Sequence, residues 1–173
     1  MTLEKQKAKA KFLDTRMDDK IASAVNLANL LVLGATLAHD GDHIYQACRW
    51  KYKIPLPLLV INMAVYVMPA ISAFLIKNKR SAAPGLVMAE GIVTSAAFLK
   101  LHLWKPTTDV WGIWNYNYFK LNKGVMYDGK WMQGINWIDW ALLFILPVAS
   151  IPAFIIANQK RKELKALAEN AED

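Results

Sequence analysis

Cysteine is nearly absent from this sequence. The one thiol, Cys48, excludes an internal disulfide and a thiolate metal cluster, and it leaves the redox compartment open. Histidine is scarce as well: there are three, and two of them, His39 and His43, lie four positions apart. Charge is missing from long stretches, and between Ile21 and Ala38 no residue carries any. More than half of the chain is apolar, and the apolar residues come in blocks rather than in the one-sided patterns of water-soluble helices. The lysines and arginines behind the net charge of +7 stand mostly at the ends of those blocks, where they anchor helices against anionic headgroups. This distribution argues against nucleic acid and makes a lipid bilayer the expected partner. No internal repeat is visible.

What is present reads as an all-α, polytopic membrane protein, a single domain of four transmembrane helices. Residues 1–20 form a polar, basic segment, too polar for a secretory signal, and are expected as a cytosolic helix or tail on the membrane surface. Asp18 and Asp19 stand where a helix N-terminus favours negative charge. A first span over 21–46 follows; its uncharged part would be roughly 27 Å long, close to the hydrocarbon thickness. A second span, 55–77, opens at Pro55 and Pro57 and contains Asn62 and Pro69. The third, 83–104, starts at Pro84 and carries Glu90. The fourth, 137–158, contains Pro147 and Pro152 and stops at Lys160-Arg161-Lys162, ahead of a helix-prone polar tail over 159–173.

Between the last two spans, 105–136 mixes Trp111, Trp114, Tyr116, Tyr118, Tyr127 and Trp131 with Gly, Asn and Lys. That composition suits the interfacial belt, and a short helix or lid on the outer surface is expected. Four spans put both termini on one side. That side holds six, three and four Lys or Arg in its three segments against three and five in the opposite connections, so the positive-inside rule sets both termini in the cytosol.

This topology gives the stretch His39-Asp40-Gly41-Asp42-His43 its interest. The end of the first span, the end of the third and the start of the fourth share the outer level, which brings His39, His43, His102, Asp42 and Asp139 to one layer. On a helix His39, Asp42, His43 and Gln46 form one stripe, while Asp40 points about 100° away, toward the headgroup layer. Imidazoles at i and i+4 can hold one transition-metal ion, with Zn, Cu and Fe not distinguished. His102 with Asp139 or Asp42 would supply further ligands, and a carboxylate outside the ligand set would orient a ring.

Over five positions the stretch resembles the His-Glu-x-x-His helix of zinc metalloproteases, with Asp40 where the general-base glutamate stands. The resemblance implies a metal-bound water with Asp40 as its base, from a carboxylate one methylene shorter. Membrane desaturases also use His-x-x-x-His, but their larger histidine sets cannot be built from three. Against these stand a plain interfacial cluster capped by water and headgroups, and a haem held between His39 or His43 and His102.

Glu90 lies roughly 18 Å along the helix axis from His102 and about 120° around it, so the two cannot share one first shell. It is expected to pair with Asn26, Asn29, Asn62 or Thr94 as a helix–helix clamp, or to serve ion or proton translocation. In outline, a four-span chain with one embedded glutamate resembles the small multidrug transporters. The remaining rival is a non-catalytic accessory subunit of a larger membrane complex. Whether the chain is an enzyme is left open by its residues.

Overall fold

The computed structural model describes residues 3–50, 56–102, 125–127, 130–132 and 144–170, and these are mostly helical. Helix α1, Leu3–Asp14, ends where Thr15 turns its hydroxyl and its N–H back onto the Lys11 carbonyl, at 3.0 and 3.1 Å. The chain then runs extended for a few residues. Arg16 pairs with Arg80 in an antiparallel bridge, and the Met17 N–H donates to the Lys79 carbonyl at 2.9 Å. Lys79 has φ 52°, the left-handed turn that lets this carbonyl face back toward residue 17. The basic N-terminal segment is therefore stitched to the 77–80 loop, and Phe12 and Met17 join the core instead of lying on a surface.

Helix α2, Asp19–Trp50, begins under a side-chain cap, Ile21 N–H to Asp18 Oδ1 at 2.7 Å, and continues unbroken for 32 residues, or about 48 Å. It runs four residues beyond the expected end at Gln46. Its inward stripe is Ile21, Val25, Ala28, Val32 and Ala35, spaced alternately by four and three, and His39 and His43 continue the same line.

The expected second span is two helices, α3 (Leu56–Ala64) and α4 (Val67–Lys77). Pro69 is the cause. It has no N–H to offer the Val65 carbonyl and its ring would strike that carbonyl, which disfavours a continuous helix at residue 65. The same proline fits the first turn of a new helix. Val65 and Tyr66 instead close α3 with bonds to Asn62 and Met63 carbonyls, both 3.2 Å, and Ala70 N–H to Tyr66 O opens α4.

Helix α5, Ala83–His102, starts at Pro84 as expected. Between α5 and the last helix the described residues form an antiparallel ribbon, β1 (Val125–Tyr127) with β2 (Lys130–Met132), Tyr127 opposite Lys130. An Asp-Gly pair separates two short runs of apolar and aromatic residues in the sequence, a strong hairpin signal; the rest of the segment expected as a short helix or lid lies outside the described residues. Helix α6, Ile145–Asn170, carries the fourth segment straight through the expected stop at residue 158. Ala153, Ala157, Leu164 and Ala168 lie on one buried stripe, so the polar tail is the packed continuation of the apolar helix.

Cross-contacts fix the directions. Met17 meets Lys79, Asn29 meets Pro69 and Asp40 meets Asn62, so α2 opposes the α3–α4 segment. Ser72 meets Glu90, which opposes α4 and α5, and Phe98 meets Phe144, which opposes α5 and α6. It follows that α2 and α5 run parallel. The α5–α6 seam is made of small residues: a Cβ on Gly91 would stand 3.3 Å from Ser150 Cβ.

The surface is unusual for an isolated fold. Leu27, Leu30 and Leu37 on α2, Val60 and Met63 on α3, Ile71 and Phe74 on α4, Ile92 and Val93 on α5, and Val148, Ile151 and Ile155 on α6 are all exposed, while Asn29, Thr36, Ser72, Glu90 and Thr94 are buried. Among the described residues one helix, Asp19–Tyr45, is long and apolar enough to cross a membrane, and Asn62–Lys77 is a shorter apolar stretch.

Candidate functional site

The polar stretch at residues 39–43 splits over two faces of α2. His39 and His43 extend the core-facing stripe and are 6% and 5% exposed. Their rings meet edge to face with centroids 4.5 Å apart, and their Nε2 atoms are 3.0 Å apart. His39 also packs its ring against Phe98 of α5 at 5.2 Å, and Phe98 leans on Phe144, so the pair stands on an aromatic floor.

Two nitrogens 3.0 Å apart suit two chemistries. One is an N–H···N hydrogen bond in which one ring donates and the other accepts. The other is a shared ion: with metal–nitrogen bonds of about 2.0–2.1 Å, two tetrahedral ligand atoms sit about 3.3 Å apart and two at a right angle about 2.9 Å. The observed spacing falls between these values.

Because α2 and α5 are parallel and His39 is level with Phe98, the next turn of each helix is level too. That turn carries His43 on α2 and residue 102 on α5, four positions beyond Phe98. His102 closes α5; its side chain lies outside the described residues, and Asp139 lies outside them altogether. Asp42 is half-buried. Among the described residues no group of three or more His, Cys, Asp or Glu converges as a metal cluster.

Asp40 departs from the sequence expectation. It does not face headgroups: it is 7% exposed and turned toward α3 and α4, where its Oδ2 accepts from Asn62 Nδ2 at 2.7 Å and from the Tyr66 hydroxyl. Asn62 and Tyr66 are four apart, one on α3 and one between α3 and α4, and both reach α2. Sequence reasoning singled out Asn62 as a partner for Glu90 and passed over Tyr66, although their i, i+4 spacing was a usable signal.

Glu90 is 0% exposed, and its Oε2 accepts from Ser72 Oγ at 3.3 Å. None of the four partners expected for it makes that bond. Asn29 donates to the Pro69 carbonyl at 3.4 Å, one turn from Ser72 on the same face of α4. The Glu90 Oε1 and Asn29 Oδ1 atoms are buried with no hydrogen-bond partner among the described residues.

No family model matches this chain, and comparisons with curated proteins and with solved structures give no match either.

Proposed function

We propose that this chain is an integral membrane protein of four spans that binds a transition-metal ion, zinc, copper or iron, between its first and third spans. The observation that carries the reading is the pair of buried imidazoles whose Nε2 atoms lie 3.0 Å apart, a spacing that one ion can bridge. The parallel register of α2 and α5 supports His102 as the third ligand. Asp42 and Asp139 are the proposed carboxylate contributors.

The exterior supports the membrane part. Leucine, isoleucine or valine exposed on every long helix, with Asn29, Thr36, Ser72, Glu90 and Thr94 buried beside the apolar core, is a distribution that water does not select. Both termini are assigned to the cytosol by the distribution of Lys and Arg.

Asp40 takes a different role here from that of a base on metal-bound water. Its carboxyl is engaged by Asn62 and Tyr66 on the far side of α2, so it fixes the helix that presents the histidines. The reading is accordingly one of metal binding, with no reaction assigned.

Elemental analysis of the purified full chain tests it. Near-unit metal content is expected, lost in His39→Ala and in His43→Ala and lowered in His102→Ala, with imidazole coordination visible by X-ray absorption or, for copper, electron paramagnetic resonance. A metal-free protein, or equal content in the His39→Ala variant, overturns the proposal. Recovery as a metal-free part of a larger assembly in mild detergent would favour the accessory-subunit reading. A second reading rests on the buried Glu90 carboxyl with its one long bond: translocation of a proton or cation, checked by loss of flux in liposomes on Glu90→Gln.

A further inference from the structure

At the opposite end of the bundle from the histidines, α1, α5 and α6 enclose a cavity of about 580 Å³. This is within the ~300–1,000 Å³ of small-molecule sites. Its polar lining is one-sided in charge. Lys11 comes from α1 and Arg161 and Lys165 from α6, with Glu169 as the one carboxylate.

These cations gather over the first turn of α5. Arg161 Nε lies 3.9 Å from where a Cβ on Gly85 would stand, so the missing side chain leaves the guanidinium next to the helix start. A helix N-terminus carries partial positive charge from its unsatisfied N–H groups, so cations placed there repel it unless an anion lies between.

The donors for an anion are in place. In the first turn of α5, Ala83 N–H is taken by the Arg80 carbonyl and Leu86 N–H by the Ala82 carbonyl, and Pro84 has no N–H. The Gly85 N–H is left without an acceptor among the described residues. Ser81, which also lines the cavity, is 1% exposed, and its hydroxyl is buried with no hydrogen-bond partner among the described residues. A buried hydroxyl without a partner is costly, and at this position it points to a ligand that accepts a hydrogen bond.

We infer that this cavity is a binding site for a phosphate group, held by Ser81 Oγ, the Gly85 N–H and the cationic side chains of Arg161, Lys165 and Lys11. The chemistry is that of phosphate at a helix N-terminus with charge-assisted bonds from arginine and lysine. Phe12 and the exposed Leu13 give the same cavity an apolar wall, which fits a phospholipid whose headgroup enters and whose chains remain outside. A free phosphate or phosphomonoester offers the same oxygens. The inference uses no part of the histidine site and stands or falls separately from it.

Two arms of one experiment separate the sources. In the first, the full chain in a neutral detergent is titrated with inorganic phosphate against chloride at matched ionic strength, and thermal melting is followed. In the second, melting is compared in phosphatidylcholine bilayers with and without a minor fraction of phosphatidic acid. Stabilisation by inorganic phosphate assigns a free anion; stabilisation by phosphatidic acid alone assigns a lipid headgroup. Half-saturation is expected to move about tenfold in Arg161→Gln or Lys165→Gln and roughly threefold in Ser81→Ala, and not in Lys77→Gln, which lies outside the cavity. Equal melting in phosphate and chloride and in both bilayers overturns the inference. So does a phosphate response that Arg161→Gln and Lys165→Gln leave unchanged.

Discussion

Replacing Tyr66 by Phe removes one of the two donors on the Asp40 carboxyl and almost no volume. The size of the effect can be bracketed. Side-chain hydrogen bonds between membrane helices average about 0.6 kcal/mol in double-mutant cycles and reach about 1.7. A bond to a charged group in a soluble protein is worth about 1.5–3. Asp40 is buried, so water cannot replace the lost donor, and only Asn62 would then hold that oxygen. The upper end of the membrane range applies, and Tyr66→Phe is expected to cost about 1.5 kcal/mol.

The cycle with Asp40→Ala isolates this bond. Asp40→Ala alone should cost more, about 3 kcal/mol, because it leaves both the Tyr66 hydroxyl and the Asn62 amide without their acceptor. In that background Tyr66→Phe should cost almost nothing, which makes the coupling about 1.5 kcal/mol. Reversible unfolding in mixed micelles, driven by added SDS and followed by far-ultraviolet circular dichroism, measures all four corners. A coupling under about 0.5 kcal/mol would refute the argument that this carboxyl ties α2 to the break between α3 and α4.

Three further outcomes are expected in the same assay. Gly34→Ala and Gly41→Ala, where an added Cβ meets nothing within 4 Å, should stabilise by about 0.5–1 kcal/mol through helix propensity; Gly91→Ala, which presses on Ser150, should fall at least about 1 kcal/mol short of them. Asp18→Ala should cost about 1 kcal/mol through the lost cap, whereas Asp19→Ala should cost under about 0.5 although it breaks a 2.8 Å ion pair with Lys79, because that pair is exposed. Leu164→Ala should cost about 2–4 kcal/mol and Leu167→Ala next to nothing, since Leu164 is 0% exposed and Leu167 half-exposed; equal effects would mean that the end of α6 is not packed.

Much of this architecture could be read from the residues alone. The uncharged run from Ile21, the inward stripe from Ile21 to Ala35 and the proline at the start of α5 are local signals, and local signals set helix existence and start. The stripe also settles which way His39 and His43 face, a conclusion available by counting on from Ala35 by fours. The sequence reading took those histidines for the rim of a span and did not follow the stripe through.

The remainder depends on contacts between distant residues. Pro69 marks the break, but its polar anchor is Asp40, which bonds Asn62 and Tyr66 from 22 and 26 residues away. The partner of Glu90 is a serine of no local distinction, chosen by the close approach of α4 and α5. The bridge between Arg16 and Arg80 joins two basic residues that charge alone would separate; backbone hydrogen bonding by Met17 sets it. The packing of Leu164 and Ala168 needs α1 and α5 beside them, which no window on the C-terminal sequence contains.

Helix α6 has a mechanical consequence. It is one rod of 26 residues, about 39 Å, bearing Ser150 against Gly91 toward one end and Arg161 over Gly85 nearer the other. A small rotation about its long axis would lift the serine from its seat and swing the guanidinium in the same stroke. The proposed phosphate pocket and the interior beside Glu90 thus border one helix, with Pro152, which has no N–H to give the preceding turn, lying between them.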